Sequence, residues 1–245
     1  MHRFYVENFS GTGNTIDITG SDVNHIKNVL RLKTGDEIIV GDGSGTDYTC
    51  KIEGMEQDRV TTVICDVTRN AAELETKIIL FQGMPKSDKL ELIIQKTVEL
   101  GVSEIVPVIT KRTVVKPQKN KEEKKLERYN AIAASAAKQS GRGVIPRVMP
   151  FMSFQEALSY AKGLDMCIIP YENAKGMEYA RSVIRDIKGK KSLGIFIGPE
   201  GGLADEEVDA AVSMGAKSIS LGGRILRTET AGLAALSIIM FEIDG

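Results

Sequence analysis

Residues 194–231 read G-I-F-I-G-P-E-G-G-L-A-D-E-E-V-D-A-A-V-S-M-G-A-K-S-I-S-L-G-G-R-I-L-R-T-E-T-A. Two apolar strands, Leu193–Ile197 and Ser218–Leu221, each run into a glycine-containing loop that opens a helical pattern. In an open α/β sheet, ligands bind at the loops beyond the carboxyl ends of the strands. Gly198, Gly201, Gly202, Gly222 and Gly223 carry no side chain, so a ligand can lie against the backbone there. The stretch predicts an α/β domain with a ligand site at its strand ends.

The surrounding sequence supports that class. From residue 77 onward strands and helices alternate, the pattern of a mostly parallel sheet covered on both faces. Lys77–Phe81, Glu104–Ile109 and Asp165–Ile169 read as strands, and Ile145–Val148 as extended. The helix Asp88–Leu100 puts Leu90, Ile93, Ile94, Thr97 and Val98 on one face, and Gly101 stops it. A basic helix covers 121–138 and ends in A-K-Q-S-G-R-G. Another covers Ser153–Tyr160, with Ser153 and Glu156 as a capping box, and 176–187 follows as a third. The last helix, Thr228–Ile243, is apolar almost all round, so it must be buried against its own sheet or against another subunit.

Residues 1–70 differ in grammar. β-formers at Ile16–Ile18, Glu37–Val40, Tyr48–Ile52 and Val60–Val67 are separated by turns such as G-D-G-S-G at 41–45. A single short helix, Ser21–Leu30, interrupts them, with Ser21 or Asp22 as its cap. The expected organisation is a β-rich module over 1–70, a linker over 71–76 and the α/β domain over 77–245.

Charge is uneven along the chain. Residues 1–70 hold 7 Lys and Arg against 11 Asp and Glu, whereas 77–150 hold 15 against 7. A local basic surplus in a chain of net charge −1 fits a polyanion partner, nucleic acid first. The plainer reading is a solvated helix surface at K-N-K-E-E-K-K, 119–125. In the acidic first module, H-I-K-N-V-L-R-L-K gathers His25, Lys27, Arg31 and Lys33, either as an RNA contact or as charges on a hairpin edge. Cys50, Cys65 and Cys167 are unclustered and there are 2 His, which argues against a disulfide scaffold or a metal site. M-H-R-F-Y-V is no signal peptide, no apolar run suits a bilayer, and a reducing cytoplasm fits.

Three strand-end loops converge in this reading: Pro170–Asn173, Gly198–Gly202 and Leu221–Thr230. Each holds a carboxylate, Glu172, Glu200 or Glu229. Phosphate cradles use amides, Lys and helix N-termini, and neither G-x-x-x-x-G-K-[ST] nor G-x-G-x-x-G occurs. A ligand with hydroxyls, an amine or a positive centre suits the loops better, and S-adenosylmethionine has all three. Such glutamates can equally cap helices or bond loop amides.

Further motifs extend over nearly the whole chain. They are H-x-x-x-V-L-R at His25–Arg31, G-x-x-K-x-D-K at Gly83–Lys89, Q-K-x-x-E-L-G-V at Gln95–Val102 and Q-S-G-R at Gln139–Arg142. With I-G-P-E-G-G at Ile197–Gly202 and L-G-x-R-I-L-R-T-E-T-A at Leu221–Ala231, the chain resembles the 16S ribosomal RNA (uracil-N3)-methyltransferase family. That family is a branch of the SPOUT, or α/β-knot, methyltransferases. The resemblance implies an N-terminal PUA-like β-barrel, a C-terminal α/β domain with a deep trefoil knot, and a homodimer. It implies S-adenosylmethionine held by Pro170 and Glu172, by Ile197, Gly198, Pro199, Glu200, Gly201 and Gly202, and by Leu221, Gly222, Ile225, Leu226, Arg227, Thr230 and Ala231. The adenine would sit among Ile197, Leu221, Ile225 and Leu226. One departure is Ala204, where such proteins often carry a Ser or Thr cap opposite Glu207.

For N3 methylation the expected catalytic residues are Arg227 and Glu229, two residues apart at the mouth of the last loop. Arg227 stabilises the charge left on uracil, and Glu229 helps remove the N3 proton or orients the arginine. The alternatives are that Arg227 binds phosphate, that Arg224 is the active arginine, and that Glu229 serves the first turn of the last helix. RNA contacts are expected from Arg3, Lys27, Arg31, Lys33, Lys86, Lys89, Lys111, Arg112, Ser140 and Arg142, on 16S ribosomal RNA or the small subunit. Two other functions keep the same fold: methylation of another RNA, such as the ribose 2′-oxygen of a transfer RNA, and RNA binding by a non-catalytic assembly factor.

Overall fold

The alternation in the first seventy residues becomes a five-stranded mixed sheet in a computed structural model of the chain. The structure describes residues 1–6, 13–114, 119–172, 174 and 176–244. The strands are β1 (His2–Tyr5), β2 (Thr15–Thr19), β3 (Glu37–Gly41), β4 (Thr46–Met55) and β5 (Arg59–Arg69), in the order β1-β3-β4-β5-β2. β1 runs parallel to β3 and the other pairs are antiparallel. In β2, Ile16 and Ile18 are buried between exposed Thr15, Asp17 and Thr19, the strict alternation of a half-buried strand. Register shifts at Thr49/Cys50 and Ile52/Gly54 bend β4 against β5, and the sheet curls into a half-barrel. Phe4, Ile38, Val40, Cys50, Ile52 and Val60 fill it.

The single predicted helix of this module is two pieces. α1 (Ser21–Asn24) starts after Gly20, with no side-chain cap from Ser21 or Asp22. The chain then widens into a π-turn, His25–Val29. Leu30 N donates to His25 O at 2.9 Å and Leu32 N to Ile26 O at 3.0 Å. That closure leaves Arg31 in the left-handed region, at φ 53°.

The chain divides into two compact units, the first containing 1–73 together with 137–145. Sequence order alone assigns 137–145 to the second domain, and side-chain chemistry explains the difference. Arg142 gives Nε to Glu73 Oε1 at 2.9 Å and Nη2 to Oε2 at 2.8 Å. The two side chains are 4% and 12% exposed. Glu73 Oε1 also accepts the amides of Gly143 at 2.8 Å and Val144 at 3.0 Å. Burial pushes the Glu73 carboxyl up, but the bonds from Arg142 and these amides outweigh it and hold it below the ordinary value. Beside this pair, Asn70 Nδ2 donates to Asp47 Oδ2 at 2.9 Å and to Gly141 O at 3.2 Å. Arg3 pairs with Asp47, and Tyr5 OH donates to Arg142 O. A Cβ on Gly143 would lie 2.4 Å from Asn70 Cβ, so only glycine fits. Thus Glu73, inside the stretch read as a linker, anchors a returning loop. Arg142 and Arg3, expected on RNA, are engaged within the unit.

The second unit, 74–136 with 146–245, is a parallel sheet covered on both faces. Its strands are β6 (Lys77–Gly83), β7 (Glu104–Ile109), β8 (Arg147–Val148), β9 (Met152–Ser153), β10 (Met166–Pro170), β11 (Ser192–Ile197) and β12 (Lys217–Ile219). The order is β12-β10-β11-β6-β7-β8, with β9 also beside β7. Helices α2 (Lys89–Glu99), α3 (Glu122–Ser140), α4 (Phe154–Ala161), α5 (Met177–Arg185), α6 (Asp205–Ser213) and α7 (Thr228–Asp244) complete the chain. On one face Phe81 stacks on Phe196, centroids 4.3 Å apart, under Phe154 and Leu158 of α4 and Val208 of α6. On the other face α7 packs on β11 and α2. α2 buries Leu90, Ile93, Ile94, Thr97 and Val98, the face the sequence predicts.

Caps explain where two helices start. At α4, Glu156 N donates to Ser153 Oγ at 3.3 Å while Ser153 N donates to Glu156 Oε2 at 2.7 Å. At α6 only half of that box remains, Ala204 N to Glu207 Oε2 at 2.9 Å. The freed Glu207 Oε1 accepts Lys111 N at 2.8 Å, so this carboxylate ties the loop after β7 to α6. α7 buries Ala235, Leu236 and Ile239 but leaves Phe241 82% and Ile238 45% exposed. Among the described residues no helix is long and apolar enough to cross a membrane.

Candidate active site

β10, β11 and β12 end at the same edge of the sheet, and their loops enclose a cavity of about 790 Å³. The central wall is the loop after β11. Gly202 N turns back on Pro199 O at 2.8 Å. A Cβ on Gly198 would stand 2.7 Å from Gly202 C and 2.8 Å from Leu203 N, so the loop closes on itself only because residue 198 is glycine. A second wall runs from Ser220 to Thr228 and returns from the sheet edge to the start of α7. Thr228 Oγ1 donates to Gly198 O at 2.6 Å. Pro170, Tyr171 and Glu172 form the third wall; Tyr171 N donates to Ile219 O at 3.0 Å and its hydroxyl to Asp205 Oδ1 at 2.9 Å. Asn173, the last residue of the predicted first loop, lies outside the described residues.

Charge is arranged around these backbone walls. Lys89, at the start of α2, reaches Glu200 at 3.1 Å and Glu229 at 3.5 Å. Glu200 Oε1 also accepts Lys86 N at 3.0 Å. Burial pushes the Glu200 carboxyl up, but the Lys86 amide, its own amide and Lys89 outweigh it and leave it below the usual range. Arg112 lines the cavity and donates Nη1 to Gly201 O at 2.9 Å. Lys111 pairs with Glu206 on the surface. Arg224 and Arg227 are exposed and also line the cavity.

Of the residues expected around a cofactor, all line this cavity except Thr230. The reason is helical phase: Thr228 and Ala231, three residues apart, share the inward face of α7, and Thr230 is turned outward. Ile225 lines the wall but is 90% exposed, so within one chain it cannot enclose a base as expected. Ile197 is buried, and Leu221 and Leu226 are partly so. Arg227 and Glu229 separate. Arg227 is on the wall, whereas Glu229 is off it, its buried Oε2 facing Lys89 Nζ at 3.5 Å and accepting no hydrogen bond among the described residues. Lys89 and Arg112, expected on RNA, are on the cavity wall itself. In the first unit Arg31 and Lys33 are exposed, Lys27 donates to Glu56 O at 2.8 Å, and Ser140 bonds Ala137 O at 3.5 Å.

Sequence reading missed Gln82 and Thr228. Gln82 is 0% exposed and gives Nε2 to Thr228 Oγ1 at 2.8 Å and to Gly83 O at 3.0 Å. The available signal was a glutamine ending the apolar strand K-I-I-L-F-Q-G.

The arrangement offers backbone amides and carbonyls in a glycine-walled recess, carboxylates for a positive or hydroxylated ligand, and a rim of Lys89, Arg112, Arg224 and Arg227 for a polyanion. Comparisons with known proteins agree with that chemistry. The family model described as RNA methyltransferase domain matches residues 72–240, and the one described as RNA methyltransferase PUA domain matches 18–65. The chain is 40% identical to ribosomal RNA small subunit methyltransferase E of Bacillus subtilis over 94% of this chain and 91% of the relative. Identity to the enzyme of the same name from Mesomycoplasma hyopneumoniae is 33%, over 97% and 98% of the two chains. Among solved structures, ribosomal RNA small subunit methyltransferase E from Neisseria gonorrhoeae bound to S-adenosyl methionine superposes with a TM-score of 0.84. It is 33% identical and is matched over 98% of this chain and 97% of that one.

Proposed function

We propose that this chain, which belongs to the RNA methyltransferase family, transfers a methyl group from S-adenosylmethionine to N3 of one uridine in 16S ribosomal RNA. The observation that carries the proposal is the near full-length match to small-subunit ribosomal RNA methyltransferases, with its most specific motifs forming the cavity walls. The residues present fit the cofactor. Gly222 and Gly223 leave backbone open to a purine and ribose, Ile197 offers an apolar floor, and Glu172 and Glu200 suit an ammonium.

When bound, S-adenosylmethionine supplies an electrophilic methyl carbon on a sulfonium. The chain must orient the base and manage the N3 proton, since uracil N3 is a poor nucleophile while protonated. Arg227 reaches the cavity with no ion pair to its side chain among the described residues, so it is available to the charge that develops on the uracil carbonyls. Glu229 acts from behind the wall by holding Lys89. N3 is favoured over carbon 5 because methylation at carbon 5 generally uses an added nucleophile. The Cys167 thiol is buried in β10 and pushed up to about 11 by desolvation, and burial also raises Cys50. Mass spectrometry of 16S ribosomal RNA from cells lacking this protein tests the reading: one 3-methyluridine disappears and returns with the wild-type gene. An unchanged modification profile would refute it.

The exposed apolar face of α7, with Ile238 and Phe241, supports a homodimer, and equilibrium sedimentation checks that. The RNA is unpaired at the target, because N3 is hidden inside a base pair. In the cytoplasm it meets Lys86, Lys89 and Arg112 in the second unit and Lys27, Arg31 and Lys33 in the first. Arg31 gives a separable test. Its left-handed backbone favours glycine, so Arg31→Gly should leave stability unchanged or raise it by up to about 1 kcal/mol. The same variant should weaken RNA binding and lower the slope of log affinity against log salt by about one. Unaltered RNA affinity would show that Arg31 is an ordinary turn residue.

A further inference from the structure

Gln82 occupies a place where an aliphatic residue would be expected. The preceding residues of β6, Ile78 to Phe81, are all apolar, and Gln82 is as buried as they are. Its Oε1 is buried with no donor among the described residues, an arrangement that costs stability. Its Nε2 donates to Thr228 Oγ1 at 2.8 Å. A hydroxyl has one proton, so Thr228, accepting from Gln82, sends its own to Gly198 O at 2.6 Å. The chain of bonds therefore has one direction, from the strand through the first residue of α7 to the carbonyl where the loop after β11 begins. It closes the far end of the 220–227 wall onto the 198–202 wall. Neither Lys89 nor Glu229 takes part in it.

We propose that Gln82 and Thr228 are positioning residues that set the gap between these two walls and so set cofactor affinity. The proposal rests on the reading that this cavity holds S-adenosylmethionine. What the buried glutamine contributes is its N–H, which keeps the Thr228 hydroxyl aimed at Gly198.

The test is isothermal calorimetry of the purified full chain with S-adenosylmethionine, beside thermal melting of each variant. Thr228→Val keeps the shape and removes the hydroxyl; its dissociation constant should rise tenfold or more at a temperature well below its melting point. Thr228→Ser keeps the hydroxyl and should remain within about threefold of wild type. Gln82→Met leaves Thr228 its bond to Gly198 but removes the donor that aims it, and should weaken binding without a lower melting temperature. Wild-type binding with Thr228→Val unimpaired, or Thr228→Ser as impaired as Thr228→Val, overturns this inference alone. If every variant that loses affinity is also largely unfolded at the assay temperature, the role is structural and the inference falls. Failure of the wild-type chain to bind overturns the cofactor reading, and this inference with it.

Discussion

Arg227→Ala should slow methyl transfer by about 10²–10³-fold while leaving cofactor affinity within a few fold, the usual effect of deleting one group that stabilises developing charge. The substitution is clean for a structural reason. The backbone carbonyl of Arg227 accepts Thr230 N at 2.9 Å and Ala231 N at 2.8 Å, so the start of α7 is held by main chain and not by the guanidinium. The side chain is exposed on the cavity wall. Arg227→Lys should recover part of the rate, since an ammonium keeps the charge but loses the planar fork. Single-turnover rates at saturating cofactor and RNA separate this from binding. A near-normal rate in Arg227→Ala would move the role to Arg224, Arg112 or Lys89, the other cations on the wall.

The largest loss of stability should come from Arg142→Ala, about 3–5 kcal/mol, because it leaves the buried Glu73 carboxylate without its cation. Urea denaturation at neutral pH, followed by circular dichroism, measures it. A loss under 1 kcal/mol would mean the pair is solvated and the 137–145 segment is held by its backbone contacts alone. Acid should act on the same bond in the wild type. The folded carboxyl is depressed below its ordinary value of 4.5, so its contribution is complete above that value and is lost as the pH falls toward the depressed one. Arg142→Ala should lack that component of the acid sensitivity.

Much of the architecture was legible because it depends on side-chain period. The buried face of α2, Thr97 included, follows from 3.6-residue spacing, and the Ser153–Glu156 box marks the start of α4. The cavity walls were legible because apolar strands run straight into glycine-containing loops that open helices, and ligands bind at such strand ends. What stayed hidden depends on partners far apart in the chain. Arg142 sits among glycines and reads as an exposed cation, yet its partner is 69 residues away. β1 has 4 residues, and it pairs with a strand beginning at Glu37. The π-turn after α1 differs from an α-helix by one residue in its hydrogen bonds, which hydrophobic spacing does not encode. Gln82 and Thr228 were missed for the same reason as Arg142: their bond joins residues 146 apart.

The return of 137–145 to the first unit has a consequence for how the protein is made. Domains of nascent chains generally fold in turn, the amino-terminal one first. Here the half-barrel is incomplete when residue 73 leaves the ribosome, because Glu73, Asn70 and Tyr5 still lack partners from the 137–145 segment. Translation must carry β6, α2, β7 and most of α3 out of the exit tunnel before the first unit can be finished. A peptide released early, at the apparent boundary near residue 73, would lack the segment to which Glu73, Asn70 and Tyr5 bond. Truncated products of that length should be substrates for proteolysis, not free-standing RNA-binding modules.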